Sequence, residues 1–206
     1  MNRCVIIAGA DINNYENAKK YLKDGDFIIC CDCGLRHLQK LNVKPNLIVG
    51  DFDSHQNPHL PVETIVLPCE KDDTDTGFAV KEALKRGAND FLFLGVIGNR
   101  FDHSFANISI LLMLDTLGKS ALAIDDFSEL QIISSQKAFI SDEFSFFSLL
   151  NVSGTAEGIS IKNAKYPLEN AIIKSEDQYG ISNQVLPNQI AEVSIQKGRL
   201  LLIRVK

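Results

Sequence analysis

Apolar and polar positions follow two different rhythms along this chain, and the rhythm changes near residue 126. In the first part, short apolar runs alternate with stretches of helical period. Residues 4–8 (Cys-Val-Ile-Ile-Ala) read as an opening strand closed by Gly9, 13–23 as a helix, and 27–31 (Phe-Ile-Ile-Cys-Cys) as a second strand. Residues 34–41 read as another helix, Pro45 interrupts, and Leu47, Ile48 and Val49 make a third strand. A polar, proline-bearing connection at 55–61 leads to a strand at 64–67, a helix at 76–86 ending near Gly87, and a strand at 91–96. A helix over 104–117 and a strand over 121–124 complete the set. Strands alternating with helices imply a parallel sheet covered on both faces. The expected N-terminal domain, residues 1–126, is therefore a Rossmann-like α/β unit.

Beyond it the helical period disappears. Residues 131–134, 144–150, 158–161, 171–174, 191–196 and 200–205 are short apolar runs separated by Ser, Asn, Gly and Pro, with no long helical pattern between them. That spacing predicts an antiparallel β-sandwich or jelly-roll-like domain over residues 127–206.

Composition narrows the function more than the fold. A chain of 206 residues with 45% hydrophobic and 23% charged residues can bury a core and is not expected to be disordered. Its 21 basic and 26 acidic residues give a net charge of -5 with no basic block, which argues against a nucleic-acid partner. The opening apolar run meets Asp11 and has no basic lead, so it does not read as an export signal. The apolar stretch 108–114 contains Ser109, stops at Asp115 and is too short for a bilayer. A cytoplasmic protein without a membrane partner is expected. Five cysteines, an odd number, suit free thiols, and Cys30, Cys31 and Cys33 lack a second Cys or His cluster to complete a zinc site. Gly118-Lys119-Ser120 is not a phosphate-binding loop, because Met113 stands where a glycine is required and a helix precedes it.

The chemistry gathers between residues 49 and 103. Asp51 and Asp53 follow an apolar strand and flank Phe52. In an extended segment the two carboxylates would face the same side, with Cα atoms about 6 to 7 Å apart, a workable claw for one Mg²⁺. The other reading is a polar turn whose carboxylates cap backbone N–H groups. Asp72, Asp73, Thr74 and Asp75 precede a helix, where acidic and hydroxyl side chains cap and satisfy the dipole, yet capping needs one such group rather than four. Arg100, Asp102 and His103 crowd the end of a strand and the start of a helix. Arg100 offers a planar fork to phosphate oxygens, or alternatively pairs with a surface carboxylate. All three clusters fall where strands cross to helices, and open α/β sheets bind ligands at the carboxyl ends of strands.

In this order, Gly-Asp-Phe-Asp-Ser at 50–54, Lys-Asp-x-Thr-Asp at 71–75 and Gly-x-Arg-x-Asp-His at 98–103 resemble the thiamine pyrophosphokinases, which transfer the β,γ-diphosphate of ATP to thiamine. Tyr166-Pro167-Leu168 and Gly180-Ile181-Ser182-Asn183 resemble that family's thiamine-side motifs, so the resemblance covers nearly the whole chain.

The resemblance implies an N-terminal domain that binds ATP and metal and a C-terminal domain that binds thiamine. Asp51, Asp53 and Asp75 would hold Mg²⁺. Asp32, Asp72, Thr74, Arg100 and His103 would meet ATP, with Arg100 as the phosphate clamp. Asp102 would orient or deprotonate the thiamine hydroxyl, ahead of His103. Tyr166, whose bland alternative is an ordinary β-domain aromatic, would stack on thiamine where the family often has Trp. Ser182 and Asn183 would contact the pyrimidine. Cys33 replaces the first of two glycines that follow Asp32 in the family. A negatively charged protein needs a divalent ion beside ATP, which fits acidic metal ligands. The family also implies a homodimer with a shared active site. Two other readings stay open: a diphosphokinase for another acceptor such as a hydroxymethylpterin, and a thiamine or nucleotide sensor without catalysis.

Overall fold

The computed structural model describes residues 2–52, 60–70 and 72–206, so Asp53 and Lys71 lie outside the described residues. It divides into two compact units, Met1–Asp126 and Phe127–Lys206.

The first unit contains strands β1 (Arg3–Ile7), β2 (Phe27–Cys31), β3 (Leu47–Gly50), β4 (Glu63–Val66), β5 (Asp90–Leu94) and β6 (Ser120–Ile124). They pair in parallel in the order β4-β3-β2-β1-β5-β6. Each inner strand is apolar on both sides, as a sheet covered on two faces requires. Val5, Ile7, Ile28, Cys30, Leu92 and Leu94 form one buried cluster with Ala18, Leu38 and Leu41. The opposite side chains, among them Ile6, Ile29, Phe91 and Phe93, are equally buried. The helices are α1 (Tyr15–Lys19), α2 (Leu38–Leu41), α3 (Asp75–Lys85) and α4 (Phe101–Thr116). After β1 the chain builds outward through β2, β3 and β4, then returns to place β5 on the other side of β1. That reversal is the switch point where such sheets open a crevice.

The helix expected at 13–23 shrinks to Tyr15–Lys19. Asn14 caps it by accepting from the Asn17 N–H (3.0 Å), and the chain then turns before Gly25. The helix expected at 34–41 is a 3₁₀ turn, Asp32–His37, running into α2.

The second unit is all strand: β7 (Ser128–Ile133), β8 (Ala138–Ser141), β9 (Phe146–Asn151), β10 (Thr155–Lys162), β11 (Leu168–Lys174), β12 (Ile190–Ser194) and β13 (Leu200–Val205). Within it β7, β13 and β9 pair antiparallel, and β11-β10-β12-β8 form a second antiparallel layer. Phe147, Leu149, Leu200 and Leu202 from the first layer share one buried cluster with Ile140, Ile159, Ile161, Ile173 and Val193 from the second. This is the expected sandwich. Strand β8 was not anticipated: its four residues alternate buried Ala138 and Ile140 with Phe139 and Ser141, too short a pattern to stand out.

Candidate active site

Within the first unit, the segments after β1, β2, β3 and β5 and the start of α3 enclose a cavity of about 590 Å³. Three carboxylates, Asp32, Asp51 and Asp75, face one another there with ligand oxygens all within 4.8 Å. Asp32 follows β2 and is 3% exposed, Asp51 follows β3, and Asp75 opens α3. Their meeting depends on Gly50, since a Cβ there would lie 2.6 Å from the Cβ of Asp32. Three hard oxygen donors in one cluster can hold a divalent cation of the Mg²⁺ type.

The structure separates the overlapping readings of the acidic helix start. Thr74 is the cap, its Oγ1 accepting from the Gly77 N–H at 3.0 Å. Asp73 pairs with Lys81 at 2.5 Å, and Asp72 is exposed ahead of the cap. Asp75 joins the cluster. The claw geometry argued for Asp51 and Asp53 requires correction: Phe52 has φ +57°, so the chain turns left-handed directly after Asp51 instead of running extended. A bulky residue in that region is strained by roughly 1–3 kcal/mol, as at other ligand-binding turns. Asp32, taken from sequence as a nucleotide contact, is the carboxylate that completes the described cluster.

Arg100 and His103 line the same cavity. Asp102 holds Arg100 in a two-point pair, Nε to Oδ1 at 3.0 Å and Nη2 to Oδ2 at 2.7 Å, with both side chains largely exposed. The guanidinium N–H donors pull the Asp102 carboxyl down to about 2, which makes it a poor proton acceptor in this arrangement. The segment after β5 is tied down from α4. Ser104 Oγ accepts from the Gly98 N–H at 3.0 Å, and Asn107 Nδ2 donates to the Val96 carbonyl at 2.7 Å. Sequence reading missed both, although two polar residues three apart on the buried side of an apolar helix are the signal that would have found them.

Cys33 fits where the family has glycine because Gly9 opposes it: a Cβ on Gly9 would sit 2.3 Å from the Cβ of Cys33. Behind this wall, His37 is 2% exposed. Its Nδ1 lies 2.8 Å from the Tyr15 hydroxyl and its Nε2 3.0 Å from the Ala10 carbonyl. The Ala10 carbonyl can only accept, which calls for a proton on Nε2, whereas Arg36 Nε, 3.3 Å from the same nitrogen, calls for a lone pair there. Burial, then the nearby Arg36 charge, lowers the imidazole below its usual 6.5. Above that value folded and unfolded chains are both neutral at this position. Below it, the unfolded chain binds a proton that the folded chain refuses, so stability falls until the folded value is reached. Urea midpoints measured from pH 7.5 down to 5.5 are expected to fall more steeply for the native chain than for His37→Gln.

In the second unit, Asn183 is 5% exposed and spends its amide on the main chain. Its Oδ1 accepts from the N–H groups of Tyr166 (3.0 Å) and Gln184 (2.9 Å), and Nδ2 donates to the Tyr166 carbonyl (2.7 Å). Backbone bonds at 2.9 Å in both directions join Asn183 to Phe147 of β9. The Ser182 N–H donates to Ser148 Oγ at 3.0 Å. Tyr166 is left 58% exposed, with Lys165 Nζ 5.5 Å from its ring centre.

Residues 18–122 match the thiamin pyrophosphokinase catalytic domain, and residues 132–200 match the thiamin pyrophosphokinase vitamin B1 binding domain. The chain belongs to the thiamin pyrophosphokinase family. A thiamine pyrophosphokinase of Bacillus subtilis is 26% identical over 97% of this chain and 96% of its own. The crystal structure of a thiamine pyrophosphokinase from Bacillus subtilis has the same fold, with a TM-score of 0.86, 24% identity and coverage of 100% of this chain and 99% of that one. Another, from Geobacillus thermodenitrificans, gives 0.84 at 24% identity over 99% and 97% of the two chains. The yeast enzyme structure gives 0.74 at 16% identity, covering 100% of this chain and 86% of its own. Among the described residues of this thiamin pyrophosphokinase family member, no helix is long and apolar enough to cross a membrane.

Proposed function

We propose that the protein transfers the β,γ-diphosphate of ATP to thiamine, giving thiamine diphosphate and AMP. The observation that carries this reading is the convergence of Asp32, Asp51 and Asp75 in a cleft at the sheet's switch point, in a chain of this family. The hydroxyl oxygen of thiamine forms a bond to the β-phosphorus while the bond to the α,β-bridging oxygen breaks. AMP leaves with that oxygen, and the hydroxyl proton goes to solvent or a nearby acceptor.

Asp51 and Asp75, with Asp32 beside them and Asp53 as a further candidate, would hold Mg²⁺, which when bound neutralises phosphate charge. Arg100 then meets phosphate oxygens, with Asp72, Thr74 and His103 on the ATP side. We assign Asp102 to orienting, either of Arg100 or of the acceptor hydroxyl, because a carboxyl held near 2 takes up protons poorly. Tyr166 and Ser182 form the thiamine side, with Asn183 as the residue that positions them. The family resemblance supports a homodimer with shared sites. Five free cysteines suit a reducing, cytoplasmic setting.

The experiment is AMP release from ATP, with and without thiamine and Mg²⁺, with the product identified by mass. Release that needs both, with thiamine gaining one diphosphate, is the expected result. Transfer to a hydroxymethylpterin but not to thiamine, or binding of both substrates without AMP, would overturn it.

A further inference from the structure

The cleft wall contains a second arginine. Arg36 lies at the end of the 3₁₀ turn that follows β2, whereas Arg100 follows β5, and β1 runs between those two strands. Both side chains line the same cavity, which they approach from either side of β1. Arg36 Nη2 donates to the Gly9 carbonyl and, at 2.8 Å, to Asp11 Oδ1. Both bonds use Nη2 and Nε lies 3.3 Å from His37 Nε2, so these contacts leave the Nη1 hydrogens unspent, and Nη2 rejoins them when Asp11 is displaced.

We propose that Arg36 is a phosphate-binding residue of this cleft, and that Asp11 holds its guanidinium in place until a phosphate oxygen replaces that carboxylate. The inference rests on the reading that the cleft takes a nucleotide. Three arguments support it. Arg36 and Asp11 are 41% and 64% exposed at the side chain, and an ion pair so open to water contributes little, so exchanging it for a phosphate costs little. Asp32, Asp51 and Asp75 concentrate negative charge in the same cavity, so a polyphosphate entering it needs donors on the remaining walls. Finally, the segment Gly9–Asp11 has anchors besides Arg36. His37 holds the Ala10 carbonyl at 3.0 Å, and the Ala10 N–H donates to Gly95 at 2.8 Å. A guanidinium on a wall held at several points is preorganised, and its planar fork matches phosphate oxygens in a way that a lysine does not.

The test is calorimetric binding of α,β-methylene-ATP, whose α,β bond resists transfer, and of adenosine, which has no phosphate, to the full chain and to Arg36→Gln, Arg36→Lys and Asp11→Asn. Arg36→Gln is expected to weaken the triphosphate analogue by about 10- to 100-fold and leave adenosine unchanged, with Arg36→Lys between. Asp11→Asn is expected to bind the analogue at least as tightly as the native chain. If Arg36 merely anchored the loop through Asp11, Arg36→Gln and Asp11→Asn would weaken both ligands alike, and that result overturns the inference. Unchanged binding in Arg36→Gln would overturn it too, while leaving the diphosphokinase reading intact. Selective weakening in a chain that makes no AMP from ATP and thiamine would sustain the role of Arg36 and reject the reaction.

Discussion

Asp75→Asn is expected to lower thiamine-dependent AMP release by at least roughly a hundred- to a thousandfold, the usual scale for removing one group that stabilises transition-state charge. The same substitution is expected to raise the urea midpoint. Asp75 shares with Asp32 and Asp51 a space in which all ligand oxygens lie within 4.8 Å, and like charges so close oppose folding when no cation is bound. Loss of activity with gain of stability is a signature that a purely structural carboxylate would not give. Titration with Mg²⁺ sharpens the test. The native chain should gain thermal stability with added Mg²⁺, because an ion that binds only the folded state shifts the equilibrium by mass action. Asp75→Asn should gain much less. A variant that retained turnover and the full Mg²⁺ response would remove Asp75 from the metal site.

Asn183→Leu is expected to cost about 2–4 kcal/mol of stability, because it strands the Tyr166 N–H, the Gln184 N–H and the Tyr166 carbonyl away from their partner. Leucine fills a similar volume but supplies no donor or acceptor. Thiamine KM should rise, since the segment that presents Tyr166 loses its anchor, while binding of α,β-methylene-ATP should stay as it was. If thiamine KM were unchanged despite the lost stability, the face presented by Tyr166 would not be the thiamine site. A parallel fall in nucleotide affinity would instead point to general loosening of the chain.

Much of this architecture was legible because period and punctuation agree. Residues 27–31 and 200–205 appear as strands with the boundaries that their apolar runs suggest. The α/β half followed by the antiparallel half is what the change of rhythm implied. Helix length was less legible: nothing in the pattern at 13–23 reveals that Asn14 starts the helix late and that the chain turns before Gly25. In the site, residue types and order pointed to strand ends that line one cavity, and Asp51 and Asp75 do meet. Spacing failed where it assumed an extended chain, because Phe52 turns left-handed. The meeting of Asp32 with Asp51 was not legible, since the two lie far apart in the sequence and only the parallel order β3-β2-β1 brings β2 and β3 side by side. Ser104, Asn107 and Arg36 act through contacts with loops that precede or oppose them, a relation that helical period alone does not encode.

The position of β1 between β2 and β5 also sets the order of events during synthesis. The segments that carry Asp32 and Asp51 leave the ribosome early, yet the cleft also needs the turn after β5 and the polar anchors on α4. Pairings between distant segments form late, because a long loop must close before they are rewarded. A nascent chain that has built only β1 to β4 therefore lacks the far wall of its own site. Asp32, Asp51 and Asp75 all precede β5 in the chain, so their mutual repulsion precedes the wall that carries Arg100, whose arrival completes the site around a cluster already made.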